Sequence, residues 1–156
     1  MNFDTIIYTA ARGAGVPDQV ARIIAAQARH ETGNYTSRVF KNDNNAFGYK
    51  FVGQRNAVPG TAAPASEGAA PYARYKSVQD STIEMVNWLK RRQREGKLKI
   101  ADLNTPEKYA AALKASGYYG APQSLYATAV AKHLKSLAIT TGGAIATALL
   151  FAGIFF

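Results

Sequence analysis

Glu31 is the residue whose type and position best suit acid chemistry. It follows Val20, Ile24 and Gln27 at spacings of three and four, so it lies in the last turn of a predicted helix on its apolar stripe. Burial disfavours a charged carboxylate, and so does the negative end of the helix dipole. Both effects raise its pKa, as a general acid near neutral pH requires. The alternative is an ion-paired carboxylate at a helix end, and the cations considered for it are Arg29, Arg38 and Lys50.

Composition excludes several other kinds of site. The 156 residues contain no cysteine, which removes disulfides, thiol nucleophiles and cysteine-ligated metals. The two histidines, His30 and His133, are too few for a histidine-rich metal centre, so neither metal nor cofactor is expected.

The net charge of +9 predicts an acidic partner, such as nucleic acid, anionic lipid or bacterial wall polymers. Six of the ten residues in 90–99 are basic. This run is interpreted either as a solvated helix face or as a surface that attracts wall polymers or anionic lipid. No aromatic residues interleave with this run, so nucleic acid is not the expected partner.

The elements that must position Glu31 are mainly helical. The pattern predicts helices over 2–12, 17–32, from 81, from 106 to about 115, and from 123. Strands are predicted at 47–52 and 72–77, paired as a small hairpin, with loops at 34–45 and 57–71.

Residues 137–156 carry no charge and would span about 30 Å as a helix, the thickness of a bilayer core. We therefore predict a soluble domain over 1–136 and a transmembrane anchor over 137–156; a buried core helix is the alternative. Residues 1–15 lack the basic start and long apolar stretch of a signal peptide. Lys132 and Lys135 before the anchor predict a cytoplasmic head.

Four motifs follow one another along the sequence. Residues 30–33 are HETG and 44–50 are NNAFGYK; 72–77 are YARYKS; 109–113 are YAAAL, followed by GYY at 117–119 and YA at 126–127. Together they resemble the glucosaminidase family of lysozyme-like glycoside hydrolases, which includes bacterial autolysins and the flagellar muramidase. The family motifs are E-T-G-x, N-N-x-F-G-x-K, F-R-x-Y-x-S and Y-x-x-A-L…G-Y…Y-A. The resemblance covers about residues 23–134, and the arginine of the third motif is displaced by one position.

The resemblance implies a lysozyme-like α+β fold with a cleft between a helical lobe and a small β-lobe. The implied substrate is the glycan strand of peptidoglycan, cut at a β-1,4 linkage between N-acetylglucosamine and N-acetylmuramic acid, with Glu31 as proton donor. It also places Tyr75 and Tyr126 beside the cleft as catalytic residues. The expected substrate-binding residues are Asn45, Phe47, Gly48 and Tyr118.

A second carboxylate is the next requirement of such an enzyme. Glu67, 36 residues after Glu31, is the candidate in the β-lobe, and Asp43 is a lesser one. Without a partner acid, the substrate's 2-acetamido group could act as nucleophile, or the chain could be a lytic transglycosylase.

Three other interpretations remain open: a non-catalytic wall-binding protein, a virion membrane protein of the same fold, and a membrane-tethered nucleic-acid binder. The predicted anchor places the head in the cytoplasm, whereas peptidoglycan lies on the other side of the membrane. The small size, the missing signal peptide and the anchored tail favour a phage or virion-associated lysis enzyme, and docking of the apolar tail into a partner protein is the alternative.

Overall fold

The computed structural model describes residues 2–140. Six helices and a two-stranded sheet make up this part of the chain, with single 3-10 turns at Ala65–Glu67 and Ile100–Asp102. The elements are α1 (Phe3–Gly13), α2 (Asp18–Thr32), α3 (Arg38–Asp43), β1 (Ala57–Pro59), β2 (Ala73–Tyr75), α4 (Val78–Arg94), α5 (Pro106–Ala115) and α6 (Gln123–Lys135).

Helix α2 is the central helix of the fold. Its apolar residues Val20, Ile23 and Ile24 are fully buried, and it packs against α1 and α6. The helix ends at Gly33, whose φ of +55° lies in the left-handed region that glycine adopts without strain. Because α2 is held by two other helices, the position of its last turn, which carries Glu31, is well defined.

Hydroxyl and amide caps fix where the other helices begin. Asn2 and Thr105 accept the capping hydrogen bonds of α1 and α5, which begin about where the sequence predicts. Helix α4 begins at Val78 rather than Ser81, because the Ser77 hydroxyl accepts from the Asp80 amide and adds a turn. The predicted loop at 34–45 also contains the short helix α3.

The β-lobe differs from its prediction. The predicted strand at 47–52 is wrong: β1 lies at 57–59, inside the predicted loop, and pairs antiparallel with β2 so that Val58 faces Arg74. Residues 45–49 form a turn instead, because the Asn45 side chain bonds the amides of Phe47 and Tyr49 and the carbonyls of Tyr49 and Ala73. Within the predicted strand 47–52, one isolated antiparallel bridge pairs Lys50 with Tyr72, the residue before β2.

The predicted transmembrane helix and membrane anchoring are wrong. Helix α6 ends at Lys135, and residues 137–140 are not helical. They lie against α1 instead, where the Ala138 amide donates to Asp4 (2.9 Å) and the Thr140 amide to Thr5 (3.1 Å). Within residues 2–140 no helix is long and apolar enough to cross a bilayer. Residues 141–156, the rest of the predicted anchor, lie outside the described residues.

Asp4 connects this last segment to α2. Its buried carboxylate accepts two hydrogen bonds from Arg29 (2.8 and 2.6 Å) and one from the Tyr35 hydroxyl (2.6 Å). Burial raises its pKa, but these bonds outweigh burial and hold the pKa below the usual value. Arg29 is therefore committed to Asp4, on the side of α2 away from Glu31.

Candidate active site

An open cleft of about 510 Å³ receives side chains from both lobes. The helical side contributes the end of α2, the start of α3 and Trp88 of α4. The opposite side contributes the 45–49 turn, Lys50, Glu67 and Tyr72. The loop after α5 closes the lining with residues 117–119. Glu31 and Glu67, the two predicted catalytic carboxylates, thus line the same cleft.

The Glu31 carboxyl is half-buried in the cleft wall and makes no ion pair with any described residue. Of the three cations considered for this pairing, Arg29 binds Asp4, Lys50 binds Glu67, and Arg38 forms no ion pair with any described residue. Oε1 of Glu31 accepts a hydrogen bond from the Tyr126 hydroxyl at 2.8 Å, the one bond to this carboxyl within residues 2–140. Burial raises the pKa of Glu31 above its usual value, and the Tyr126 bond partly opposes that rise. This leaves Oε2 as the oxygen that can carry a proton toward a ligand.

Gln27 and Tyr109 form a buried polar pair next to Glu31. Gln27 is fully buried one turn before Glu31, and its Oε1 accepts from the Tyr109 hydroxyl at 2.5 Å. Burial raises the pKa of Tyr126 above its usual value, and the Gln27 side chain partly opposes that rise. The sequence analysis placed Gln27 on the same helix face as Glu31 but gave it no role. Its spacing of four residues from Glu31 was the sequence signal that the two side chains are neighbours.

Aromatic contacts fix the Tyr126 ring from two directions. Tyr119 stacks on it with ring centroids 3.9 Å apart and planes 10° apart, and His30 meets it edge-on at 5.2 Å. Tyr119 also lines the cleft, so it is a site residue that the sequence analysis missed. Its place in the GYY motif next to Tyr118 was the signal for it.

The four predicted substrate-binding residues all line the cleft. Asn45 and Phe47 are almost fully buried and form the support of the cleft floor. Tyr118 joins this floor to the helical side, because its hydroxyl donates to the Phe47 carbonyl at 2.9 Å and its ring packs on Trp88. Gly48 is exposed with φ of +70°, so the backbone itself forms that part of the surface.

Glu67 lies in a more polar setting than Glu31. It accepts from Lys50 Nζ at 2.8 Å and from the Tyr72 hydroxyl, and the Lys50 ammonium lies 3.7 Å from the centre of the Tyr72 ring. These hydrogen bonds lower the pKa of Glu67. The two carboxyls are therefore pushed in opposite directions, Glu31 toward the protonated form and Glu67 toward the ionised form. Such a division is typical of acid and base roles in one site.

Two other predicted candidates lie away from the cleft. Asp43 is fully buried and accepts from Arg74 Nε and the Thr61 amide, both at 2.9 Å, so it joins α3 to the hairpin. Tyr75 is buried beneath β2, and burial raises its pKa; it does not contribute to the cleft lining. Its side chain alternates with the exposed Arg74, on the same face of β2 as the buried Ala73.

Solved structures with the same fold come from two bacteria. One is a chain of a type VI secretion system effector–immunity complex from Pseudomonas protegens, 17% identical, with a TM-score of 0.63 and 86% of each chain covered. The other is a peptidoglycan hydrolase from Sphingomonas sp. A1, 21% identical, with a TM-score of 0.63, covering 87% of this chain and 91% of that one. No curated protein matches the sequence. Residues 6–139 match the glucosaminidase family, described as mannosyl-glycoprotein endo-beta-N-acetylglucosaminidase, and the chain therefore belongs to this family.

Proposed function

We propose that this chain is a glycoside hydrolase that cleaves peptidoglycan at the β-1,4 linkage between N-acetylglucosamine and N-acetylmuramic acid. The observation that carries the proposal is the Glu31 carboxyl, partly desolvated in an open cleft, unpaired with any described cation, and held through one oxygen by Tyr126. Family membership supports glycoside hydrolysis, and the Sphingomonas neighbour, itself a peptidoglycan hydrolase, supports the choice of polymer.

In the proposed reaction Glu31 donates its proton from Oε2 to the glycosidic oxygen as the C1–O bond breaks. The carboxyl becomes negative during this step, and the hydrogen bond from Tyr126 to Oε1 then stabilises the new charge. Burial favours the protonated starting state, while Tyr126 favours the ionised product state. Together they suit a group that must give up a proton near neutral pH.

Glu67 is proposed to act in the second half of the reaction. Ionised under the influence of Lys50 and Tyr72, it takes a proton from the water that attacks C1, or stabilises the positive charge at the sugar ring. If Glu67 does not take part, the substrate's 2-acetamido oxygen attacks C1 instead, or the 6-hydroxyl closes onto C1 as in a lytic transglycosylase. An expected phage or virion role depends on the membrane anchor and is not part of this proposal.

Product analysis tests the proposal. Purified peptidoglycan is digested with the wild-type chain and with Glu31→Gln, reduced with borohydride, and analysed by mass spectrometry. Hydrolysis gives new reducible ends, and the sugar that becomes reduced identifies the linkage cut. Ends that resist reduction, and that before reduction are lighter by one water than the hydrolysis product, would instead identify a transglycosylase. Equal products from wild type and Glu31→Gln, or none from wild type, would contradict the proposed role.

A further inference from the structure

Lys114 connects the end of α5 to the loop that leads into α6, residues 116–122. Its ammonium group donates to the carbonyls of Gly120 and Ala121, both at 2.7 Å. Hydrogen bonds from a charged donor are stronger than those between neutral groups. The ammonium also lies 5.3 Å from the centre of the Tyr119 ring, within the range of a cation–π contact. Lys114 therefore contacts three consecutive residues of this loop.

The two bonds from Lys114 hold the backbone immediately before α6. Within residues 2–140, no other hydrogen bond to the backbone of residues 119–121 is present. Helix α6 begins at Gln123, and its N-cap residue, Pro122, supplies no side-chain cap. Removal of the ammonium therefore leaves this stretch of backbone without a hydrogen bond to any described residue.

The same loop and the first turn of α6 carry the residues that support Glu31. Tyr119 stacks on Tyr126 with ring centroids 3.9 Å apart, and the Tyr126 hydroxyl donates to Oε1 of Glu31 at 2.8 Å. Tyr126 lies in the first turn of α6, five residues after Ala121. A shift of the loop backbone therefore moves both the stacked Tyr119 ring and the start of the helix that carries the hydroxyl. A hydrogen bond weakens steeply as its geometry departs from the optimum.

We propose that Lys114 is a positioning residue for Glu31: by holding the loop carbonyls before α6, it keeps the Tyr126 hydroxyl in hydrogen-bonding geometry with the carboxyl. Lys114 itself forms neither a hydrogen bond nor an ion pair with Glu31, so its effect passes through Tyr126. That Glu31 then acts as the acid rests on the proposed function, whereas the effect of Lys114 on the Tyr126–Glu31 bond does not.

Other titratable groups face Glu31 or Tyr126, and none of them changes charge with the carboxyl. Tyr109 and Tyr118 face Glu31, and burial raises the pKa of both, so they stay neutral where a carboxyl titrates. His30 meets the Tyr126 ring edge-on, and burial lowers its pKa, so it is uncharged at neutral pH. The titration of Glu31 therefore reports on its bond to Tyr126.

Lys114→Met tests the proposal in the full chain, with Lys108→Met as the matched control. Both substitutions remove one positive charge from α5 and keep an unbranched side chain, but the Lys108 side chain is exposed and forms no ion pair with a described residue. The pKa of Glu31 is measured by NMR titration of isotope-labelled glutamate carboxyls, and Glu31→Gln assigns the signal. We expect Lys114→Met to raise this pKa, because the Tyr126 bond that lowers it is weakened, and Lys108→Met to leave it unchanged. An unchanged pKa in Lys114→Met, or an equal rise in the control, would overturn the inference.

The double variant Lys114→Met/Tyr126→Phe separates positioning from a direct effect of charge. If Lys114 acts through Tyr126, its substitution has no further effect on the pKa of Glu31 once the hydroxyl is absent. A rise of the same size with and without the Tyr126 hydroxyl would show a direct effect of charge and contradict the positioning role.

Wall lysis measures the consequence for catalysis. We expect kcat of Lys114→Met to fall about 3- to 30-fold and the alkaline limb of kcat/KM to move to higher pH, with neither change in Lys108→Met. A lower rate with the alkaline limb in place would show a merely structural role and overturn the inference. The NMR titration needs no catalysis, so the two proposals fail separately. An inactive wild type contradicts the proposed function, whereas an unchanged pKa of Glu31 contradicts the role of Lys114.

Discussion

Tyr126→Phe removes one hydrogen bond from the catalytic acid proposed here and leaves the ring stacked on Tyr119. A hydrogen bond to a charged group contributes about 1.5–3 kcal/mol. Because the Glu31 carboxyl acquires its charge as it gives up the proton, most of this contribution is lost in the transition state. The expected decrease in kcat is about 10- to 150-fold.

The pH profile gives a second and more specific expectation. The Tyr126 bond lowers the pKa of Glu31, so its loss raises that pKa. Glu31 acts in its protonated form, and its ionisation sets the alkaline limb of kcat/KM. The alkaline limb of Tyr126→Phe should therefore lie at higher pH than that of the wild type. Turbidity loss of wall suspensions, measured from pH 4 to 10, gives both quantities.

Tyr35→Phe is the matched control for this experiment. It also removes a tyrosine hydroxyl that donates to a carboxylate, but the acceptor is Asp4, which does not line the cleft. We expect lower stability and an unchanged alkaline limb. The reasoning is refuted if the alkaline limb of Tyr126→Phe stays in place or moves down, or if its rate falls no further than that of the control.

Three further substitutions test other parts of the site and fold. Glu67→Gln should slow wall lysis about 10²- to 10⁴-fold at an unchanged melting temperature if Glu67 is the base, and a change below threefold excludes that role. Tyr109→Phe leaves the Gln27 carbonyl buried without its donor and should reduce the free energy of unfolding by about 1–3 kcal/mol in urea titrations. Unchanged stability would contradict a stabilising role for the Tyr109–Gln27 hydrogen bond. Asp4→Asn leaves Arg29 without its charge partner and should reduce stability by about 3–5 kcal/mol at pH 7. Because folding lowers the pKa of Asp4, the stability difference between wild type and Asp4→Asn should be lost as the pH falls from the range in which a free Asp ionises through the lower pKa of Asp4. A stability difference that does not change with pH would contradict the role given to this ion pair.

Local patterns predicted the helical part of the fold well. Caps and apolar spacing act within a few residues, so α2 and α5 follow from the sequence around Gly33 and Thr105. The β-lobe depends on contacts that no local window contains. The Asn45 side chain bonds the Ala73 carbonyl 28 residues away, and Asp43 bonds Arg74 31 residues away. The bond to Ala73 adds to the local bonds from Asn45 to Phe47 and Tyr49, and together they make residues 45–49 a turn where β-propensity alone predicts a strand.

The candidate site also depends partly on local sequence patterns and partly on long-range contacts. The desolvated position of Glu31 follows from helical periodicity, whereas the support for it comes from distant elements. Tyr126 lies 95 residues from Glu31, and Tyr109 lies 82 residues from Gln27. The predicted anchor is wrong for a related reason, because an uncharged composition alone does not show what a segment packs against. Residues 138 and 140 bond the start of α1.

The most direct measurement of the central claim compares two substrates for Glu31→Gln. One is a peptidoglycan strand, whose leaving alcohol needs a proton; the other is an aryl glycoside of the same disaccharide with a dinitrophenol leaving group, which does not. If Glu31 is the proton donor, the variant loses about 10²- to 10⁴-fold on the natural strand and little on the aryl glycoside. Equal losses on the two substrates, or full activity on the strand, would contradict the account.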